Sequence, residues 1–194
     1  MLKIGVTGGI GSGKSVVCTI FKQLGIPIFN ADIEAKRIMV SNQNVVNQIK
    51  LNFGDVIYNE DSSINKKKLA DIIFTNKEAL KIINSIIHPE VKNEFEYWAC
   101  LQNSKPYVIE ESAILFESGA YKNFDKIISV ISPIGLRIMR VIARDGVTKN
   151  QVLSRMNSQI SDDEKIKLSD YIVYNDDSKM LIPQILDLHS KLIK

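Results

Sequence analysis

Cysteine is scarce. Only Cys18 and Cys100 occur, far apart and in no CxxC or Cys/His spacing. That excludes a disulfide-stapled secreted scaffold and a zinc site, and leaves two reduced thiols expected to be buried in a cytoplasmic protein. Long hydrophobic runs are missing too. Nowhere do 18 apolar residues follow one another, and the apolar start is too short and too broken by glycine for a signal-peptide core, so no membrane partner is expected. Excess charge is also lacking: 25 basic against 22 acidic side chains leave a net charge of +3, too weak a field to draw in nucleic acid. Repeats and low-complexity tracts are absent. What remains is a chain of 194 residues, 45% hydrophobic, long enough for one substantial core and a small appended lobe. The expected state is a monomer or weak homo-oligomer.

Glycine is sparse except in one place: of ten in the chain, five fall within MLKIGVTGGIGSGKSVV at the start. Leu2 to Thr7 (LKIGVT) is a β-rich run, and the glycines stop it before a helical pattern from Ser15 to Leu24 with Val16, Ile20, Phe21 and Leu24 on one face. Between them, Gly8-Gly9-Ile10-Gly11-Ser12-Gly13-Lys14-Ser15 satisfies GxxxxGK(S/T), the P-loop pattern. Glycine permits positive φ and close backbone approach, so the amides of Gly9, Gly11, Ser12, Gly13, Lys14, Ser15 and Val16 can gather around phosphate oxygens. The helix beginning near Gly13 brings its positive dipole end to the same point. Lys14 then reaches the β- and γ-phosphates, and the Ser15 hydroxyl ligates Mg2+. By average glycine usage a chance match in a chain of this length is on the order of one per cent. The loop is therefore expected to hold a nucleoside triphosphate rather than to form a plain turn.

Further strands are expected at Ile26 to Phe29, Tyr107 to Glu111, Lys126 to Ile131 and Asp170 to Tyr174, with helical stretches between them. Such alternation predicts an α/β fold built on a five-stranded parallel sheet, its ligands bound beyond the carboxyl ends of the strands. The boundaries are a core of residues 1–40 and 101–194, a helical insertion at 41–100 and a helical lid at about 134–165. In the insertion, Asn65 can cap a helix carrying Leu69, Ile72 and Ile73, and Leu80, Ile83, Ile86 and Ile87 recur until His88-Pro89 ends the pattern. Lys66 to Lys68 form either a solvated face or a phosphate contact. In the lid, Arg137, Arg140 and Arg144 share one helical face, either as solvated cations or as a clamp on phosphate. Gly146 ends that helix, and Thr148 with Gln151 and Ser161 with Glu164 make capping boxes for the next two.

The P-loop does not select a reaction by itself. The DxxG and NKxD motifs of GTPases are not in a suitable place, and Glu110-Glu111 could imitate the acidic pair of ATPase motors. An arginine-bearing lid and a helical insertion point to a small-molecule kinase, in which a lid excludes water so that the γ-phosphoryl group reaches an acceptor hydroxyl. A nucleoside monophosphate or sugar-alcohol kinase, and a regulatory module whose lid reports nucleotide occupancy, both remain open on these residues alone.

A resemblance narrows the choice. VTGGIGSGKS (Val6 to Ser15), NAD (Asn30 to Asp32), IIHPEV (Ile86 to Val91), ILFESG (Ile114 to Gly119), RVIARDG (Arg140 to Gly146), Arg155 with Gln159, and SDYIVYN (Ser169 to Asn175) stand in the order that resembles the dephospho-CoA kinase family. The resemblance implies a P-loop kinase core and ATP- and Mg2+-dependent phosphorylation of the ribose 3′-hydroxyl of dephospho-CoA, the small-molecule substrate, giving coenzyme A. It makes Asp32 the base or orienting group for that hydroxyl, where the residue pattern alone left an N-cap equally open. It makes Arg140 the group facing transition-state charge, Arg144 and Asn175 nucleotide contacts, and His88 and Glu111 neighbours of the acceptor or of a Mg2+ water. The chain departs from the family pattern at Asn30, where an aspartate is usual, and at Val16, which replaces a hydroxyl-bearing residue. It also departs at Ala113 in place of proline and at Arg137 in place of glutamine.

Overall fold

The central sheet follows from four buried, β-branched runs and one short edge. In the computed structural model, which describes residues 1–193 apart from the side chains at 66, 73–75 and 77, the strands are β1 (Leu2–Thr7), β2 (Ile28–Asn30), β3 (Tyr107–Glu111), β4 (Lys126–Ile131) and β5 (Tyr171–Tyr174). The expectations for Lys66 and Ile73 thus lie outside the described residues. All strands pair in parallel in the order β2-β3-β1-β4-β5. Strand β1 leads on to β2 on one side of the sheet, whereas β3 leads on to β4 on the other, so the chain diverges between adjacent β1 and β3. That divergence opens a crevice at their carboxyl ends, the usual ligand position in such sheets. Register sets what faces it: Glu111 lies level with Val6 on one side and Asn30 on the other.

The chain divides into two compact units, one comprising residues up to Asn30 together with those from Ala99 onward, the other Ala31–Trp98. The first holds the sheet and helices α1 (Lys14–Gln23), α6 (Ile134–Asp145), α7 (Lys149–Asn157), α8 (Asp162–Leu168) and α9 (Leu181–Leu192). Ile4, Val6, Tyr107, Ile109, Ile128, Val130 and Val173 from the strands pack with Val17, Phe21, Ile185 and Leu188 from the helices. The buried face of α1 is Val17, Cys18 and Phe21, whereas Val16 is 53% exposed. The expected face was therefore one residue out of register at its start. Both capping boxes form, and Gly146 closes α6 in the left-handed conformation at φ 65°.

The second unit contains α2 (Ala31–Ser41), α3 (Gln43–Phe53), α4 (Lys66–Thr75) and most of α5 (Lys77–Cys100). Asn42 and Asn65 cap α3 and α4 through their side-chain oxygens. Helix α5 corrects an expectation: it continues through Pro89 rather than ending at His88. Proline within a helix costs about 3 kcal/mol, but Ile83, Ile86, Ile87, Val91 and Phe95 are all buried along this helix. Burial contributes roughly 1.5–3 kcal/mol for each such side chain, which outweighs the local penalty. Cys18 is buried as expected, but Cys100, the last residue of α5, is exposed.

Candidate active site

Each glycine of the loop after β1 has a distinct geometric reason. Gly11 and Gly13 adopt φ of 78° and 93°, values other residues reach only with strain. A Cβ on Gly9 would overlap the Arg137 guanidinium, one on Gly11 would meet the Arg137 carbonyl, and one on Gly13 would overlap the Asn175 side-chain amide. The loop is thus packed against α6 on one side and against the residue after β5 on the other. Ser12 N–H donates to Gly9 C=O at 3.0 Å, closing a tight turn, and the buried Ser12 hydroxyl has no hydrogen-bond partner among the described residues. Helix α1 starts directly behind, and first-turn amides of a helix have no carbonyl partner inside it. Ser12 and Val16 are exceptions in the expected set, since their N–H groups already donate to Gly9 C=O and, at 3.1 Å, to Gly13 C=O.

Lys14 lies across the loop, its ammonium donating to Gly8 C=O at 3.0 Å. Ser15 donates its hydroxyl to Glu111 Oε1 at 2.6 Å, and Asn30 donates its amide to Glu111 Oε2 at 3.0 Å. Both carboxylate oxygens of this buried residue are thereby oriented, one from α1 and one from the neighbouring strand β2. Asn30, which the sequence marks only as a missing carboxylate, is a positioning donor for Glu111. Cys18 lies one helical turn beyond Lys14, and burial first, then the negative Glu111, push its thiol well above the ordinary range.

Asn175 follows β5 and donates its amide to Ser12 C=O at 2.7 Å. Its own carbonyl accepts from Arg140 Nη1 at 3.2 Å, and Arg140 also donates to Ser132 Oγ at 3.1 Å and to Asp177 at 3.0 Å. A cavity of about 320 Å3 opens at the ends of β4 and β5, lined by Ile131, Pro133, Ile134 and Tyr174 with Ser132, Asp162 and Asp176 as polar groups. The arginine stripe does not act as one face. Arg137 is buried at 5% exposure, Arg140 is half-buried, and Arg144 is exposed, paired to Asp145 at 2.7 Å. Arg155 also pairs to Asp145, at 3.2 Å.

The loop, Lys14, Ser15, Glu111, Arg140 and Asn175 thus form one cluster. Asp32 and His88 belong to the helical unit. Asp32 lies in the first turn of α2, two residues past the end of β2, and its side chain is exposed. His88 is half-buried in mid-helix, and desolvation holds its imidazole below the ordinary value. Two contacts to the loop have no local sequence signal: Arg137 donates from Nε to Ile10 C=O at 2.9 Å, and Gln159 accepts from Ile10 N–H at 2.8 Å.

A family model described as dephospho-CoA kinase matches residues 2–180. A dephospho-CoA kinase of Bacteroides fragilis is 37% identical over 187 residues, covering 96% of this chain and 91% of that protein. Among solved structures, a Thermus thermophilus protein superposes with a TM-score of 0.88 at 28% identity, covering 100% of this chain and 98% of the other. A dephospho-CoA kinase from Campylobacter jejuni superposes with a TM-score of 0.71 at 28% identity, covering 98% and 96%.

Proposed function

Because this chain belongs to the dephospho-CoA kinase family, and so converts dephospho-CoA to coenzyme A with ATP, we propose the following division of that work among its residues. The loop from Gly8 to Ser15 holds the β- and γ-phosphates, and Asp32 aims the ribose 3′-hydroxyl of the acceptor at the γ-phosphorus. The observation that carries this reading is the cradle itself. Positive-φ glycines, a lysine laid across them and a helix N-terminus converge at the point where two strands diverge.

The donors beside the loop fit Mg2+. The Ser15 hydroxyl and the Glu111 carboxylate are hard oxygen groups 2.6 Å apart. One carboxylate with phosphate oxygens and water is the usual setting for this ion. When bound, Mg2+ neutralises charge shared by the β- and γ-phosphates. Lys14 complements the same charge, and Ser15 and Glu111 hold the metal and its water. Arg140 faces the oxygens of the transferring group. The purine base rests in the cavity at the ends of β4 and β5, whose 320 Å3 volume and mixed lining suit it.

In the transfer, Asp32 accepts the proton of the 3′-hydroxyl, the new oxygen–phosphorus bond forms, and the bond from the γ-phosphorus to the bridging oxygen breaks to release ADP. Burial favours the neutral form of the His88 imidazole, which suits it to hydrogen-bond the acceptor rather than to bind phosphate charge. Helices α6 to α8 close as a lid that keeps water from the γ-phosphate, with exposed Arg144 as a nucleotide contact. The enzyme works in the cytoplasm, a setting compatible with its two unpaired cysteines.

The test is positional. With ATP and Mg2+, the parent enzyme should place phosphate on the 3′-oxygen of dephospho-CoA, read by 31P NMR. A 3′-deoxy analogue should bind and release no ADP above the ATP-alone background. Phosphorylation of the analogue would overturn the assignment of the acceptor oxygen.

A further inference from the structure

The peptide of Ile10, at the tip of the phosphate loop, is held from both sides by side chains distant in sequence. A backbone segment partly withdrawn from water needs partners for its N–H and C=O groups, and for half-buried Ile10 neither partner comes from the loop. Gln159 accepts the N–H at 2.8 Å, and Arg137 Nε donates to the C=O at 2.9 Å. Each of these side chains is itself anchored. Gln159 donates through its amide to Ala113 C=O at 2.9 Å, and Arg137 Nη1 donates to Asp162 at 2.8 Å. The segment carrying Gln159 is fixed in turn by a buried ion pair. Glu117 accepts from Ile160 N–H at 2.9 Å and from Lys165 Nζ at 3.3 Å, and the fully buried Lys165 donates to Ile160 C=O at 2.6 Å.

Gly9 and Gly11 leave room for this arrangement, since a Cβ on either would strike the guanidinium or the backbone of Arg137. A loop this rich in glycine has many conformations to lose when a ligand orders it. Pinning one of its peptides from behind removes part of that cost before the ligand arrives. We infer that Arg137 and Gln159 are positioning residues which, by gripping Ile10 between them, keep the other loop amides converged on the triphosphate. Arg137 lies on α6, and Gln159 and Asp162 flank the start of α8, so the grip ties the loop to the segments expected to form the lid. ATP affinity therefore depends on how those segments are seated. The inference rests on the proposal that this loop is the ATP site.

Arg137→Met and Gln159→Met remove the two grips with little change in volume. Arg137→Gln retains an amide donor near the Nε position while losing the tie to Asp162. Calorimetric ATP binding, steady-state kinetics and thermal unfolding should be measured on all three and on Lys14→Met. Both methionine variants should weaken ATP binding and raise KM for ATP at least tenfold, with kcat at saturating ATP within about threefold of the parent. Arg137→Gln should lose as much thermal stability as Arg137→Met yet bind ATP within about threefold of the parent. If the two Arg137 variants weaken ATP binding equally, or if both methionine variants bind ATP as the parent does, the inference is wrong. Lys14→Met separates that failure from a failure of the site assignment: ATP binding unchanged in this variant removes the loop as the ATP site.

Discussion

Replacing Gly13 with alanine is the sharpest structural perturbation of the phosphate loop. Gly13 has φ 93°, and an added Cβ would overlap the side-chain amide of Asn175. A residue with a Cβ pays roughly 1–2 kcal/mol in this left-handed region. Asn175 must also move away, breaking its 2.7 Å bond to Ser12 C=O within a buried turn. Leaving that carbonyl unpaired costs about 1–3 kcal/mol. Gly13→Ala should therefore destabilise the protein by roughly 2–5 kcal/mol, the sum of these two contributions. Asn175→Ala alone should cost only the hydrogen bond. In the double variant the bond is already absent and the overlap is relieved, so the total should fall short of additivity by about 1–3 kcal/mol. Urea unfolding followed by circular dichroism, on the parent, both single variants and the double variant, measures this coupling. Additivity within about 0.5 kcal/mol would refute the claim that Gly13 is glycine to make room for Asn175.

Other perturbations have equally definite outcomes. Glu111→Ala should shift the Mg2+ concentration needed for half-maximal rate upward by about 10–100-fold, the usual effect of disturbing a metal's supporting groups, as read from Mg2+ titrations at saturating ATP. A thiol reagent at neutral pH should label one cysteine in the native enzyme and two in denaturant, because Cys100 is exposed and Cys18 is buried with its thiol held above the ordinary range. Cys100→Ser should abolish the native signal. His88 has its folded-state value depressed by burial, so the unfolded chain binds the extra proton first, and stability is lost as pH falls below the ordinary 6.5. Urea unfolding of parent and His88→Asn at pH 7.5 and 5.5 should show a smaller acid-side loss in the variant. An identical loss in both would remove His88 from that pH dependence.

The first strand, the loop and the helix behind it were legible because their signals are local: a β-rich run, glycines needing positive φ, and apolar spacing. The register of α1 was not, since Val16 and Val17 are chemically alike and only packing against the sheet decides which is buried. Pro89 misled for a related reason. Its cost is local, whereas the burial that outweighs it is spread over five side chains along α5. Arg137 reads as one cation of a solvated stripe because its partners, Ile10 and Asp162, lie 127 and 25 residues away. Asn30 reads as a lost carboxylate until strand register brings it level with Glu111. The capping boxes at Thr148 and Ser161 were readable in full, since each is completed within four residues.

The proposed reaction assigns proton acceptance to one carboxylate at the start of α2, Asp32. Asp32→Asn preserves size and hydrogen-bonding reach but cannot take a proton. Rapid-quench turnover with dephospho-CoA, alongside calorimetric ATP binding, should give a rate at least about a hundredfold below the parent, the scale of a positioned general base, with ATP affinity unchanged. Turnover equal to the parent's, with ATP bound as tightly, would mean that Asp32 does not act on the acceptor hydroxyl.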